Sequence, residues 1–385
     1  MDPTNGTEPD ESVWESLLGY FSLFCSFFLV LISIIGLFGN GMSIAIYLQP
    51  TFRQTSINIF LASLSVADFF LLMLSIPVYA AGPMMTYAED KTIVERVYNI
   101  CVVYVYPFTY FFQCCSIWLL LAITGERWLA VCRPLKMRTY STRRRVLSVI
   151  LTVILAATGY NLIRFWEYRL ENYSAQPLLH DDHHFLLWYS TVAYFITSYV
   201  IPLTLMVTLN SQIARELARA DNHRKHMTAG ERAECAAAKM LLYVVLTFIC
   251  CYSFSLFVNV LEVMNPEMFK TPLGFALSDL NNVMVALNAA SSFVFYVKYG
   301  SRYRLSFKFI CSQMCCPCYY QRLITRQRLY KAISRVTQGP ALSHATEKRP
   351  RLQKDRRKTG SMTSLNRFTD LTLTQLLLRR QRDRE

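Results

Sequence analysis

The sequence has little charge, and the charge that it has is unevenly spread. Of 385 residues, 53% are apolar and 17% are charged, whereas soluble globular chains carry about 25% charged residues. No charged residue lies between Glu15 and Arg53. Five further windows lack charge altogether: 97–125, 146–163, 185–214, 240–261 and 280–297. Because a helix needs about 20 apolar residues to cross the hydrocarbon of a bilayer, this scarcity of charge indicates a membrane protein.

Asp68 is the single charge in another long apolar stretch, which completes a set of seven predicted spans. The spans are expected near 19–48, 56–82, 97–131, 143–165, 185–215, 236–264 and 272–298. Of 40 Lys and Arg residues, 21 follow residue 297 and six more lie within 133–145, after the seventh and third spans. Basic residues accumulate on the cytoplasmic side. The sequence therefore predicts an all-α plasma-membrane protein, a seven-transmembrane helix bundle with an extracellular N-terminus.

The sequence also lacks features of secreted proteins and of enzymes. The N-terminus is acidic and the first apolar run is long, so no cleavable signal peptide is predicted. Most of the twelve cysteines lie in spans or in the tail, which is not the pattern of a secreted disulfide framework. No metal-ligand pair, phosphate-binding loop or nucleophile constellation stands out, so an enzyme is not expected. A transporter would show inverted repeats and broken helices. A transporter, or a receptor-shaped protein that does not signal, stays as the alternative.

The predicted domains are an extracellular arm (1–18), the bundle (19–298), an amphipathic helix with a cysteine cluster (299–318), and a disordered basic cytoplasmic tail (319–385). Basic and aromatic residues alternate in 301–310, which suits a short helix 8 on the inner leaflet. The cysteines after it could be palmitoylated, could ligate zinc or could be inert thiols, but their spacing matches no paired zinc motif. They are Cys311, Cys315, Cys316 and Cys318. Glycosylation sequons begin at Asn5 and Asn172.

Polar residues at mid-span depth are expensive in lipid and need a reason. Asp68, Ser116, Asn288 and Ser292, with Asn40, form such a set. They could form hydrogen bonds that hold the helices together, or they could form a site for Na⁺ and water centred on the Asp68 carboxylate. Arg127 at the end of the third span must find a carboxylate or reach water. Glu126 and Glu234 are the candidate partners for a two-state switch, and a snorkelling arginine is the alternative.

Glu126-Arg127-Trp128, followed by Val131 and Pro134-Leu135, resembles the Asp/Glu-Arg-Tyr motif of rhodopsin-like (class A) G-protein-coupled receptors. Gly39-Asn40, Leu64 to Asp68, Pro202, and Phe248 with Cys251 match other marks of that family. The resemblance implies agonist capture outside, outward movement of the sixth helix and docking of a heterotrimeric G protein around Arg127. It also implies that an acid such as Glu234 bridges to the motif arginine at rest. Arrestin and a receptor kinase are implied partners of the tail.

The chain departs from the family pattern in several places. Tyr252 and Phe254 replace the usual Trp and Pro of the sixth span, so a sharp kink there loses its commonest cause. The seventh span keeps only Tyr296 of its motif. The second outer loop contains no cysteine, so Cys101 lacks the disulfide partner that the family implies.

Three short blocks resemble invertebrate receptors for FMRFamide-like neuropeptides. They are Tyr106-Pro107-Phe108, the run from Tyr160 to Glu167, and Leu287-Asn288 before the run Phe293 to Tyr296.

The sequence lacks the residue that receptors for two ligand classes, amines and retinal, require. The third span has Thr109 where amine receptors carry an Asp, and the seventh has no Lys before Lys298, which excludes a retinal Schiff base. A peptide remains. Its predicted contacts are one face of the third span, a tyrosine of the sixth and three outer acids: Tyr106, Thr109, Tyr110, Gln113, Tyr252, Glu167, Glu262 and Asp279. An amidated Arg-Phe end would offer a guanidinium to a carboxylate and a ring to aromatic walls. Each acid could instead be a solvated rim charge.

Overall fold

The computed structural model describes residues 8–50, 52, 55–85, 91–140, 142–179, 182, 184–222 and 229–315. Within these ranges, seven helices are long and apolar enough to cross a membrane. Spans 1 to 7 are Val13–Tyr47, Ser56–Met85, Tyr106–Cys132, Arg143–Trp166, Leu187–Arg219, Ala238–Met264 and Pro272–Tyr299. The predicted seven-span bundle is confirmed. Its N-terminal face is the end at which span 1 begins, and its C-terminal face is the end at which span 7 finishes.

The α-helices run over Glu8–Tyr47, Ser56–Ser75, Ala81–Met85, Lys91–Tyr104, Tyr106–Cys132, Pro134–Tyr140, Arg143–Asn161, Ile201–Asn222, Ala229–Met264, Pro272–Tyr299 and Ser301–Cys315. Spans 2 and 5 include π-helical turns at Ile76–Ala80, Phe185–Ala193 and Ile196–Val200, and 3₁₀ turns occur at Leu162–Trp166 and Met268–Lys270. Pro77 and Pro202 accompany two of these irregular stretches, because proline cannot donate the regular helical hydrogen bond. The helix that contains span 6 has no such interruption.

Two boundaries differ from prediction. The expected third span from residue 97 is split at Val105, which separates Lys91–Tyr104 from Tyr106–Cys132. Pro107 stands in the first turn of the second helix, where its missing N–H costs nothing. At the start of the chain, the first helix already begins at Glu8, so the predicted arm 1–18 is partly helical.

Span 3 lies at the centre of the bundle, in contact with spans 2, 4, 5 and 6, while span 7 packs on spans 1, 2 and 6. The main apolar core follows these contacts and includes Leu120, Ile123, Val245 and Phe248. Spans 1 and 4 instead leave large apolar side chains exposed, such as Phe24, Phe27, Leu151 and Leu155. Such surfaces suit contact with lipid.

Glycine allows spans 1 and 7 to approach closely. A Cβ atom on Gly39 would lie 2.0 Å from the Phe293 ring, and one on Gly36 would lie 2.7 Å from the Cβ of Ala290. Beside them, Asn40 Nδ2 donates to the carbonyl of Ala289 at 3.0 Å. Small residues are the usual means by which membrane helices bring their backbones together.

A β-hairpin follows span 4. Its strands, Tyr168–Glu171 and Ser174–Pro177, pair antiparallel. The two turn residues, Asn172 and Tyr173, both have positive φ, 49° and 62°, as the tight hairpin turn requires. This conformation is costly for a tyrosine. Two contacts from the helix before span 3 hold it: Asn99 Nδ2 donates to the Tyr173 carbonyl at 3.1 Å, and the Arg96 guanidinium lies 5.0 Å from the Tyr173 ring centroid.

The predicted short helix after span 7 is present as Ser301–Cys315. Tyr303 anchors it to span 1, since its hydroxyl and that of Ser43 lie 2.7 Å apart. Burial raises the pKa of Tyr303 to about 12, so the phenol stays protonated. The helix is thereby fixed against the C-terminal face.

Candidate functional site

A buried ion pair lies near the N-terminal face. Arg164 stands in the 3₁₀ turn that ends span 4. Its Nη1 donates to Glu167 Oε2 at 3.1 Å, and both side chains are 1% exposed. Burying two charged groups costs free energy unless each lies close to a group of opposite charge. Arg164 and Glu167 are three residues apart in the chain, which brings their side chains together. The ion pair therefore replaces hydration for both residues.

Four tyrosines surround the guanidinium of Arg164. Its central carbon lies 3.9 Å from the ring centroid of Tyr110, and the centroids of Tyr189, Tyr194 and Tyr106 are 5.4, 5.5 and 6.0 Å away. Cations are attracted to aromatic faces within about 6 Å. These rings belong to spans 3 and 5, so this tyrosine cage links spans 3, 4 and 5 through one cation.

The predicted ligand face of span 3 is thus largely occupied by the chain itself. Tyr106 and Tyr110 form part of the tyrosine cage, while Thr109 and Gln113 are 0% and 5% exposed. Tyr252 is 1% exposed and stacks on Phe248 with ring centroids 4.3 Å apart.

Glu167 is not a solvated rim charge, which was the alternative interpretation, while its predicted contact with a peptide stays a prediction. Its side chain is buried and already bound to Arg164. The sequence contains the i,i+3 spacing that allows this pair, but it does not show that both side chains are buried.

An open cavity of about 460 Å³ lies at the N-terminal face between spans 1, 2 and 7. Its lining includes the carboxylates of Glu15 and Asp279, and the rings of Tyr79, Tyr98 and Phe275. No Lys or Arg occurs among the described residues that line it. Glu262, the remaining predicted acid, is exposed and is not among the lining residues. The cavity combines negative charge with aromatic walls, which is the chemistry that suits a cationic, aromatic ligand.

The polar residues at mid-span depth lie inside the bundle. Ser116 Oγ donates to Asp68 Oδ1 at 2.5 Å, which links spans 2 and 3. Asn288 and Ser292 of span 7 are 7% and 5% exposed. Two further oxygens, Asn40 Oδ1 and Ser65 Oγ, are buried and have no hydrogen-bond partner in the described part of the chain. Buried oxygen-bearing side chains thus occur on spans 1, 2, 3 and 7, and one of them, Ser116, contacts the Asp68 carboxylate.

At the C-terminal face, Glu126 and Arg127 are 8% and 5% exposed. Arg127 therefore does not snorkel to solvent. Tyr296 is fully buried, with its ring 5.7 Å from that of Tyr47 and 5.6 Å from that of Tyr303. The side chain of Glu234 lies outside the described residues, so the proposed bridge to Arg127 stays a prediction.

The candidate modification sites are only partly visible. Asn172 is exposed at the hairpin turn, and Cys311 is half-buried on the last helix. Asn5, Cys316 and Cys318, and the side chain of Cys315, lie outside the described residues.

Cys101 is a free thiol, and burial raises its pKa. The hairpin is thus connected to the bundle without the disulfide that the family implies.

Sequence reasoning missed the partners that complete both sites. Arg164 was noted only within a motif block, although an Arg three residues before a Glu at the end of an apolar span is a signal for an ion pair. Tyr189, Tyr194, Tyr79 and Tyr98 gave no such signal, because one sequence does not reveal which tyrosines of different helices face one another.

The sequence is similar to a known protein family and to several known receptors. The profile of the family described as "7 transmembrane receptor (rhodopsin family)" matches residues 39–297. The chain is 29% identical over 369 residues to the FMRFamide peptide receptor frpr-18 of Caenorhabditis elegans, covering 92% of this chain and 82% of that protein. It is 27% identical over 326 residues to the FMRFamide receptor of Drosophila melanogaster, covering 80% of this chain and 58% of that protein. A melanopsin of Rutilus rutilus is 25% identical over 249 residues, or 58% of this chain and 46% of that protein.

Proposed function

The chain belongs to the rhodopsin family of seven-transmembrane receptors, and from that premise we propose that it binds an FMRFamide-like neuropeptide and activates a heterotrimeric G protein. Two similar proteins, from worm and fly, carry the name of FMRFamide receptors. The family consists of receptors and not of enzymes, so the resemblance drawn from the motifs is confirmed at that level. The transporter and non-signalling alternatives are not favoured.

The observation that carries the ligand proposal is the acidic, aromatic cavity between spans 1, 2 and 7. Asp279 and Glu15 offer two carboxylates, and Tyr79, Tyr98 and Phe275 offer rings. A peptide that ends in Arg-Phe-amide has a guanidinium for the carboxylates and a phenyl ring for the aromatic wall. Its end carries no negative charge, so it would meet no repulsion from the two acids.

The tyrosine cage supports the cavity between spans 1, 2 and 7 as the peptide site, because the cage itself is already occupied by Arg164. Arg164 already lies over Tyr110 at 3.9 Å and holds Glu167 at 3.1 Å. A ligand guanidinium entering this position would have to displace a buried one from the same chain. The cavity at spans 1, 2 and 7 requires no such exchange.

Orientation and partners complete the proposal. The N-terminal face is extracellular in the plasma membrane, because the basic segments follow spans 3 and 7 and basic residues accumulate on the cytoplasmic side. The G protein then docks at the C-terminal face, around Arg127. Arrestin and a receptor kinase act on the basic tail, whose Ser/Thr cluster includes Thr359, Ser361, Thr363 and Ser364. Phosphates there would offer arrestin an anionic ligand.

A sodium ion at Asp68 belongs to the same proposal. The donor set fits a hard cation, since Asp68, Ser116, Asn288 and Ser292 provide carboxylate, hydroxyl and amide oxygens, and Asn40 Oδ1 lacks a partner in the described part of the chain. Bound Na⁺ would supply the positive charge that a buried carboxylate needs.

The experiment is a potency measurement on Asp279→Asn with a G-protein readout. We expect the peptide concentration for half-maximal response to rise about tenfold or more, because a broken charge pair of 1.4 kcal/mol or more gives that factor. Glu267→Gln is the matched control, since Glu267 is an exposed acid at the same face that does not line the cavity. Replacing the peptide arginine by citrulline should lower potency on the wild type and remove the difference between wild type and Asp279→Asn. Normal potency of Asp279→Asn would refute the binding site, and no response to any amidated Arg-Phe peptide would refute the ligand class.

A further inference from the structure

A second cavity, of about 370 Å³, lies at the C-terminal face between spans 3 and 5. Spans 3 and 5 end at Cys132 and Arg219, so the cavity is at the depth where helices leave the hydrocarbon and meet lipid headgroups. It is lined by Trp128, Cys132, Arg133, Gln212, Arg215, Glu216 and Arg219. None of the peptide-binding candidates is among these residues.

The charge of this basic pocket is unbalanced. Arg133, Arg215 and Arg219 face a single acid, Glu216, which gives a net charge of +2 (three positive groups minus one negative). Arg219 Nη1 lies 2.6 Å from Glu216 Oε1. Arg133 and Arg215 form no ion pair with any described side chain, and both are exposed. Two guanidinium groups are therefore available to an anion.

One wall of the basic pocket is formed by the Trp128 ring, which makes two kinds of contact with span 5. The Trp128 indole N–H donates to Gln212 Oε1 at 2.6 Å, which joins spans 3 and 5. Trp128 also packs against Ile213 and Leu217, two buried side chains of span 5. Tryptophan is enriched at the membrane interface, where one part of the ring is in apolar surroundings and its N–H is in polar ones. A ligand in the basic pocket thus meets a cationic side and an aromatic side.

We propose that the basic pocket binds the phosphorylated headgroup of a phosphoinositide from the cytoplasmic leaflet. Each phosphomonoester of such a headgroup carries a charge of about −1.5 to −2 at pH 7, so one of them is enough to offset the net charge of the basic pocket. Guanidinium groups bind phosphate oxygens in bidentate fashion. Basic pockets between helices on the cytoplasmic side are the expected sites for such headgroups. The volume exceeds that of a single phosphate, so a phosphorylated ring can enter.

The test is saturable binding of dioctanoyl phosphatidylinositol 4,5-bisphosphate to the purified full-length receptor in phosphatidylcholine nanodiscs, followed by native mass spectrometry. We expect Arg215→Gln and Arg133→Gln each to weaken binding about tenfold, the loss typical of one charged hydrogen-bonding partner. Lys136→Gln is the control, because Lys136 is an exposed cation just beyond span 3 and outside the basic pocket. Its binding should match the wild type.

Glu216→Gln is a second variant, for which the expected result is a gain of lipid binding that misfolding would not produce. Removing the single acid releases Arg219 and raises the net charge of the basic pocket, so this variant should bind the lipid more tightly than wild type. Weaker binding by Glu216→Gln, or unchanged binding by both arginine variants, would overturn the proposal. Displacement of the lipid by equimolar inorganic phosphate would instead assign the basic pocket to a soluble anion.

A G-protein contact is the other outcome that would overturn the proposal. It would appear as reduced nucleotide exchange in the arginine variants with unchanged lipid binding. Because lipid binding is measured without peptide or G protein, its failure is distinguishable from failure of the peptide proposal.

Discussion

At the scale of single residues, Arg164 shows how one buried cation organises its surroundings. Its charge is covered by Glu167 and by the faces of four tyrosines. A buried ion pair contributes little net stability compared with a well-packed apolar pair, because desolvation offsets attraction. Breaking it from one side is different, since the other charge then stays buried without its counterion.

Glu167→Gln should therefore destabilise the receptor strongly. Loss of one partner of a buried pair costs about 3–5 kcal/mol, which corresponds to a fall in melting temperature of about 4–6 °C for a chain of this length. The measurement is thermal unfolding of the purified protein in detergent.

The chain offers a matched control at another i,i+3 pair. Lys270 and Glu267 lie 2.8 Å apart, but their side chains are 71% and 84% exposed, so Glu267→Gln should cost about 0–1 kcal/mol. Replacing both buried partners, as Arg164→Met with Glu167→Leu, should recover part of the loss, because no orphaned charge remains. Equal melting temperatures for Glu167→Gln and Glu267→Gln would contradict the role of the ion pair.

At the scale of the elements, the spans were predictable because lipid imposes length and composition on them. The six windows without charge and the apolar stretch around Asp68 became seven helices, whose ends lie within six residues of those expected except where Pro107 starts a new helix. The π-helical turns of span 5 could not be predicted, since they depend on packing and not on a local motif. For the same reason the burial of the Arg164–Glu167 pair could not be predicted: the pairing is local, but the tyrosines around Arg164 come from two other spans.

The contact between spans 1 and 7 gives a test at this scale. Gly39→Ala would place a Cβ 2.0 Å from the Phe293 ring, and overpacking of this kind costs about 1–3 kcal/mol. Gly159→Ala is the control, because no heavy atom lies within 4 Å of its added Cβ and alanine favours a helix. Thermal unfolding should show a lower melting temperature for Gly39→Ala and an unchanged or higher one for Gly159→Ala. The reverse order would mean that spans 1 and 7 are not in close contact.

At the scale of the whole molecule, the bundle has differently charged ends. The cavity at the N-terminal face carries two carboxylates and no described cation, whereas the basic pocket at the C-terminal face carries three arginines. A receptor of this family must connect its two ends through a change in packing. The buried Asp68–Ser116 contact at 2.5 Å and the fully buried Tyr296 lie between them.

The switch itself is the last prediction. Arg127 is 5% exposed, so in this packing it is not presented to a partner at the C-terminal face. The helix of span 6 runs without interruption over Ala229–Met264. If Glu234 bridges to Arg127, it stabilises only the resting packing. Glu234→Gln should then raise agonist-free signalling by about five- to thirtyfold, for a difference of 1–2 kcal/mol between the two states.

Arg127→Ala should abolish coupling, because the G protein loses its docking residue. Both variants are compared by basal and agonist-stimulated G-protein activity at matched surface expression, with Glu267→Gln at the opposite face as the control. An unchanged baseline for Glu234→Gln would refute the bridge and leave the receptor mechanism intact, because the resting state could be held by Glu126 alone. Full coupling by Arg127→Ala would refute the mechanism itself, since no other residue of the chain has been assigned that docking contact.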